Sequence, residues 1–148
     1  MTICITGTII SGLGLASQSL EKDLKQRLVA VYPPIEPIHC GTINVQLDQP
    51  LRINNEDFRT PAIEWFPSWQ PRGQRETFGF LHVGFECPLG ETVYKSAWIF
   101  RPSGNPRAMF SDLFFVEIVA EQIQQAAVGT RCQIHIDQEY KRYDVIIV

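Results

Sequence analysis

The sequence contains no stretch near the ~18 consecutive apolar residues that a helical membrane span needs, so no membrane is expected as a partner. No Lys or Arg appears before Lys22, and Gly7, Gly12 and Gly14 interrupt the apolar start, which argues against a secretory signal. Paired cysteines are missing too. Cys4, Cys40, Cys87 and Cys132 stand far apart with no CxxC, so the expectation is four reduced, mostly buried thiols. His39–Cys40 is the only tempting metal couple, and nothing at a suitable spacing completes it. Positive charge is scarce. Against 16 Asp and Glu stand 13 Lys and Arg, a formal −3, whereas a protein that tracks nucleic acid shows a basic surface. No Ser-His-Asp ordering, internal repeat, low-complexity tract or domain linker emerges. These absences leave a soluble cytoplasmic chain, with a small-molecule pocket as its expected destination.

What is present suits one domain over residues 1–148, long enough to bury close to 70% of its unfolded surface. Thr2 to Ile10 is β-branched and apolar, a strand that ends at the turn Ser11-Gly12-Leu13-Gly14. Leu20, Leu24, Leu28 and Val31 fall at helical spacing, and Tyr32-Pro33-Pro34 stops that helix. Ile43, Val45 and Leu47 alternate with polar residues, as a half-buried strand does. The polar, Pro-rich stretch from Asn54 to Arg75 gives no clear pattern beyond a hairpin-like Pro71-Arg72-Gly73-Gln74. Thr77–Glu86, Glu91–Phe100, Leu113–Ala120, the alternating Arg131–Asp137 and Tyr143–Val148 read as further strands, and Arg101–Arg107 as a loop. A short helical turn is expected over Gln122–Ala126. Many strands with one main helix make an all-β fold, a compact barrel in preference to a doubly wound sheet.

Three features bear on chemistry, each with an ordinary reading beside it. Ser11, Gly12, Leu13 and Gly14 lie between a strand and a helix, where backbone amides can point at phosphate oxygens; a plain turn needs the same glycines. Thr42 and Asn44 share one strand face, so a hydroxyl and an amide oxygen converge in a way that suits Mg²⁺, or else a solvated face. Glu117 sits within Phe114-Phe115-Val116-Glu117-Ile118-Val119. There it could accept hydrogen bonds from a ligand, act as a general base, or simply point out of a wet sheet face. Arg101 and Arg107 could grip phosphate or simply be solvated, and Trp65, Trp69, Trp98 and Phe80 could stack on a flat ring or fill a core.

Taken in order, Ile5-Thr6-Gly7, Ser11-Gly12-Leu13-Gly14 and Gly41-Thr42-Ile43-Asn44-Val45-Gln46-Leu47-Asp48 resemble the archaeal CTP-dependent riboflavin kinases. The resemblance implies a six-stranded cradle-loop (RIFT-type) barrel, Mg²⁺ on Thr42 and Asn44, and nucleotide phosphates at Ser11, Gly12, Leu13 and Gly14. Trp98-Ile99-Phe100-Arg101-Pro102 and Glu117-Ile118-Val119-Ala120 look like the family's flavin-side segment. By that match Glu117 contacts riboflavin or FMN, and Ser103 stands for a flavin-contacting threonine. The likeness covers roughly residues 4–53 and 97–136. It departs at Leu15-Ala16, where the family has Glu-Gly, and at Glu121–Gln125, where the family has basic residues. The implied activity is phosphate transfer from a nucleoside triphosphate, CTP by resemblance, to riboflavin, giving FMN. The alternative is a non-catalytic flavin- or nucleotide-binding barrel acting as sensor, carrier or interaction module.

Overall fold

The computed structural model describes residues 2–10, 22–39, 41–66, 73–104, 112–123, 125–137 and 145–147. In chain order the elements are β1 (Thr2–Ile10), α1 (Lys22–Val31), a 3-10 turn (Pro33–Ile35), β2 (Ile43–Leu47) and β3 (Leu51–Ile53). Next come β4 (Phe58–Arg59), β5 (Ile63–Trp65), β6 (Gln74–Glu76), β7 (Phe78–Glu86) and β8 (Val93–Pro102). β9 (Phe115–Ala120), β10 (Arg131–Asp137) and β11 (Val145–Ile147) complete the order.

Antiparallel pairing runs β10–β1–β2–β9–β8–β7, and β7 returns to β10 with Phe85 opposite Ile134. Six strands therefore form a closed ring. β4 adds to the outside of β7, β11 pairs with β3, and β5 with β6. Ring closure gives the period-two patterns an inside. Ile5, Val45, Ile118, Ile99, Val83 and Ile134, one from each ring strand, meet in a single buried cluster. Gly7 occupies an inward position between Ile5 and Ile9, because a Cβ there would lie 2.6 Å from the Gln46 carbonyl oxygen and 2.8 Å from Val45 Cγ1.

Among the described residues the outside is dry on one flank. Leu24 and Leu28 of α1, with Ile35 and Ile38, pack over Phe78, Phe80, Trp98, Phe100 and Val119. β9 is buried at all six positions, and β8 from Ala97 to Pro102, because both their faces are covered. β1 and β10 keep a wet outer face and the alternation that goes with it. Among the described residues no helix is long and apolar enough to cross a membrane.

β1, β2, β10 and α1 follow the sequence expectations closely. Other segments differ. Val31 is exposed, and Ile35 of the 3-10 turn closes the helix contact in its place. The stretch from Asn54 to Arg75 holds short strands whose partners lie elsewhere in the chain, which no local pattern reveals. Gln122–Ala126 shows no helix among its described residues, only a turn with Ala126 N–H on the Ile123 carbonyl at 3.4 Å; so short a segment does not repay helix nucleation. Of the thiols, Cys87 and Cys132 are buried but Cys4 is exposed, with Sγ 3.5 Å from His135 Nδ1. Burial raises the Cys132 thiol to about 12. Cys40 and the polar Trp69 segment lie outside the described residues.

On the wet flank Asp48 joins the chain just after β2 to two ring strands. Its carboxylate accepts from Arg131 of β10 at 2.5 and 3.0 Å and from the Thr6 hydroxyl of β1 at 2.6 Å. The Arg131 hydrogen bond first, and Thr6 second, hold its carboxyl at about 2, below the usual 3.8. A depressed folded-state value means that this stabilisation is complete above about pH 4 and fades as pH falls toward 2. Urea unfolding of the wild type and Asp48→Asn between pH 5 and 3 should therefore converge as the pH drops; a constant gap would contradict the assignment.

Candidate functional site

The register of the ring decides which candidates meet. Ile10, the last residue of β1, lies opposite Asn44 of β2, and Asn44 lies opposite Glu117 of β9. Glu117 in turn faces Phe100 of β8, which faces Phe80 of β7 and then Phe58 of β4. One row thus crosses the outer face, polar at Asn44 and Glu117 and aromatic beyond. Phe80 and Phe100 lie 5.4 Å apart, and Tyr32 stacks on Phe58 at 4.6 Å.

This row removes the choice posed for Glu117. Its side chain does point outward, yet it is 0% exposed, because the outer face of β9 is dry. Asn44 is 4% exposed, and its Oδ1 accepts no hydrogen bond from any described residue. A buried amide oxygen without a donor is costly, and a bound cation or an N–H group relieves that cost. The donor chemistry here, a neutral amide oxygen beside a carboxylate, fits a hard divalent cation. Thr42 lies two residues before Asn44 and is half-buried. No group of three or more His, Cys, Asp or Glu gathers for a metal among the described residues.

Thr42 also borders a cavity of about 510 Å³, together with His39, Gly41 and Ile43. Its other wall is the end of β9 and the chain beyond, Ile118 and Ala120 to Ile123, with Ala126. Gly41 has φ +99°, a conformation that glycine adopts without strain. The His39 N–H on the Ala120 carbonyl at 2.7 Å ties the two walls together. The described lining residues include Glu121 and no Lys or Arg.

Ser11, Gly12, Leu13 and Gly14 lie outside the described residues, although the strand that leads into them ends at the Asn44 row. Ser103 falls elsewhere. It follows β8 and is stitched to the start of β7, its N–H on the Thr77 carbonyl and its Oγ accepting the Thr77 N–H, both at 2.9 Å. Three residues past Phe100, it is about 10 Å along the strand from the Glu117 row. Trp65, Trp98 and Phe80 are packed in the outer apolar layer.

Arg101 is no loop residue. It stands inside β8, 7% exposed, and donates to Glu56 Oε1 at 2.7 Å. Arg59 of β4 donates to the same carboxylate at 2.5 and 3.1 Å. Gly79 of β7 lies in register between the two arginines, and the space above it holds the Glu56 carboxylate. The sequence reading missed Glu56 and Arg59. Only their spacing hints at a pair, and the third member lies 45 residues from Glu56.

No protein-family model matches the chain, and no curated protein matches it.

A Cβ on Gly79 would collide with both the Glu56 carboxylate and the Arg59 guanidinium. Because the atoms it meets are the ends of flexible side chains, Gly79→Ala should lower stability by about 0.5–2 kcal/mol in urea unfolding. An unchanged midpoint would show that the cluster yields easily.

Proposed function

We propose that the protein is a riboflavin kinase-like phosphotransferase on a six-stranded cradle-loop barrel, moving phosphate from a nucleoside triphosphate to the ribityl hydroxyl of riboflavin. One observation carries this reading: Ile10, Asn44 and Glu117 occupy a single row across three neighbouring strands. β1, which leads toward Ser11, thereby lies beside β2 and β9, whose Asn44 and Glu117 belong to segments that carry the family resemblance. Thr42 adds the wall of a cavity that the residues following the Glu117 strand complete.

Phosphoryl transfer depends mainly on positioning and on neutralising charge. Thr42 and Asn44 would hold Mg²⁺, which would supply that neutralisation at the phosphates. Ser11, Gly12, Leu13 and Gly14 would offer backbone N–H groups to the nucleotide. Glu117 would orient the flavin from its dry position, and would act as base only in reach of the hydroxyl. Ser103 retains a flavin role in this reading only if the ligand extends along β8. A second reading has its own support. The absence of Lys and Arg among the described residues of the Thr42 cavity favours a barrel that binds a flavin or nucleotide without turning it over.

The test is incubation with riboflavin, Mg²⁺ and each of CTP, ATP, GTP and UTP, with FMN followed by chromatography. FMN should form with at least one donor. Asn44→Ala should then lower kcat by roughly 100-fold or more, the scale of a lost metal contact, while riboflavin still quenches on binding. No FMN with any donor would remove the kinase, and flavin quenching in that case would favour the carrier.

A further inference from the structure

Cys4, His135 and Glu86 meet on the wet outer face, where β1, β10 and β7 run side by side. Cys4 lies opposite His135, and its exposed Sγ is 3.5 Å from His135 Nδ1. On its far side the imidazole meets Glu86, with Nε2 3.1 Å from Oε1. Opposite His135 on β7 stands Gly84, which puts no side chain between the ring and Glu86. The pairing that closes the barrel therefore lines up a thiol, a base and a carboxylate.

The carboxylate decides which ring nitrogen carries the proton. Glu86 Oε2 accepts the Gly90 N–H at 2.7 Å. That bond outweighs desolvation of the carboxyl and, with the His135 contact, holds it below the usual carboxylate range. An ionised carboxylate can only accept, so His135 Nε2 is the nitrogen that donates. In the neutral ring Nδ1 is then bare, and it faces the Cys4 thiol, whose proton it can take. A thiol in reach of a base that a third group orients is the arrangement of an activated nucleophile. Stability gives little reason for this contact, since water serves an exposed thiol. Cys87 and Cys132 are the contrast: both are buried, which pushes their thiols up, Cys132 to about 12.

We infer that Cys4 is a reactive thiol that exchanges with low-molecular-weight disulfides, with His135 as its base and Glu86 positioning His135. His135 Nδ1 takes the thiol proton, and the Cys4 sulfur attacks one sulfur of a disulfide RS–SR. The Cys4–SR bond forms as the old S–S bond breaks. The departing thiolate takes the proton back from His135 and leaves as RSH. One thiol and one disulfide thus give one mixed disulfide and one thiol, and no further oxidant is needed. The reaction is independent of phosphate transfer at the Asn44 row.

The test mixes the reduced protein with oxidised glutathione at pH 7 and follows each cysteine by peptide mass spectrometry, so that Cys40 is scored separately. Cys4 should react roughly tenfold or more faster in the folded protein than in the same chain unfolded in urea, where the three residues separate. His135→Gln should remove a similar factor from the folded protein. Glu86→Ala should slow the exchange severalfold. Glu86→Gln, which keeps an oxygen for the Nε2–H, should restore most of that loss. The inference is overturned if folded Cys4 reacts no faster than unfolded Cys4, or if His135→Gln leaves the rate unchanged. A Glu86→Gln rate as low as that of Glu86→Ala would overturn the positioning role of Glu86.

Discussion

The pairing of β7 with β10, Phe85 opposite Ile134, is the constraint on which the rest depends. It turns a curled sheet into a ring, and a ring has only one side-chain parity to spend on its interior. Once Ile5, Val45 and Ile118 face in, Asn44 and Glu117 must face out. A slip of one residue would drive an amide and a carboxylate into the apolar interior, which the cost of unpaired buried polar groups forbids. The same register that builds the core therefore builds the Asn44–Glu117 row.

What distinguishes that row is the layer outside it. On β1 and β10 an outward side chain meets water, as Thr6 and Arg131 do in their contacts with Asp48. On β7, β8 and β9 the outward Phe80, Phe100 and Val119 pack with α1 in the aromatic layer. An outward carboxylate on β9 is thus as dry as an inward one would be. Dryness strengthens every electrostatic contact made there. It gives Asn44 Oδ1 and the Glu117 carboxylate a value for a charged ligand that exposed copies would lack.

The legible parts of the fold were those whose pattern is local. The alternation of Ile43, Val45 and Leu47, and of Cys132, Ile134 and Ile136, marks strands with one wet face. The continuous apolar run of β9 reflects cover on both faces, and that cover comes from a helix some ninety residues earlier, so Glu117 could be read only as buried or exposed. Ring closure joins β7 to β10 across about fifty residues and leaves no local trace. For the site, Thr42, Asn44 and Glu117 were visible as chemistry in suggestive order, whereas their convergence is a matter of register. Arg101 looked like a loop residue because Pro102 and Gly104 follow it. Its burial depends on Glu56 and on the gap above Gly79, a contact between three strands that no window of sequence contains.

Two ends of β9 thus carry different chemistry: Asn44, Thr42 and carboxylates toward one end, guanidinium groups beside Phe115 at the other. The claim that the Asn44 end holds a metal–nucleotide complex is the one most directly measured. With Mn²⁺ and CTP added to isotope-labelled protein, paramagnetic broadening should strike the amide signals of Ile10 and Gly41 to Asn44 first, leaving Leu51 to Ile53 sharp. Broadening centred on Leu51 to Ile53, or none at Asn44, would contradict the account.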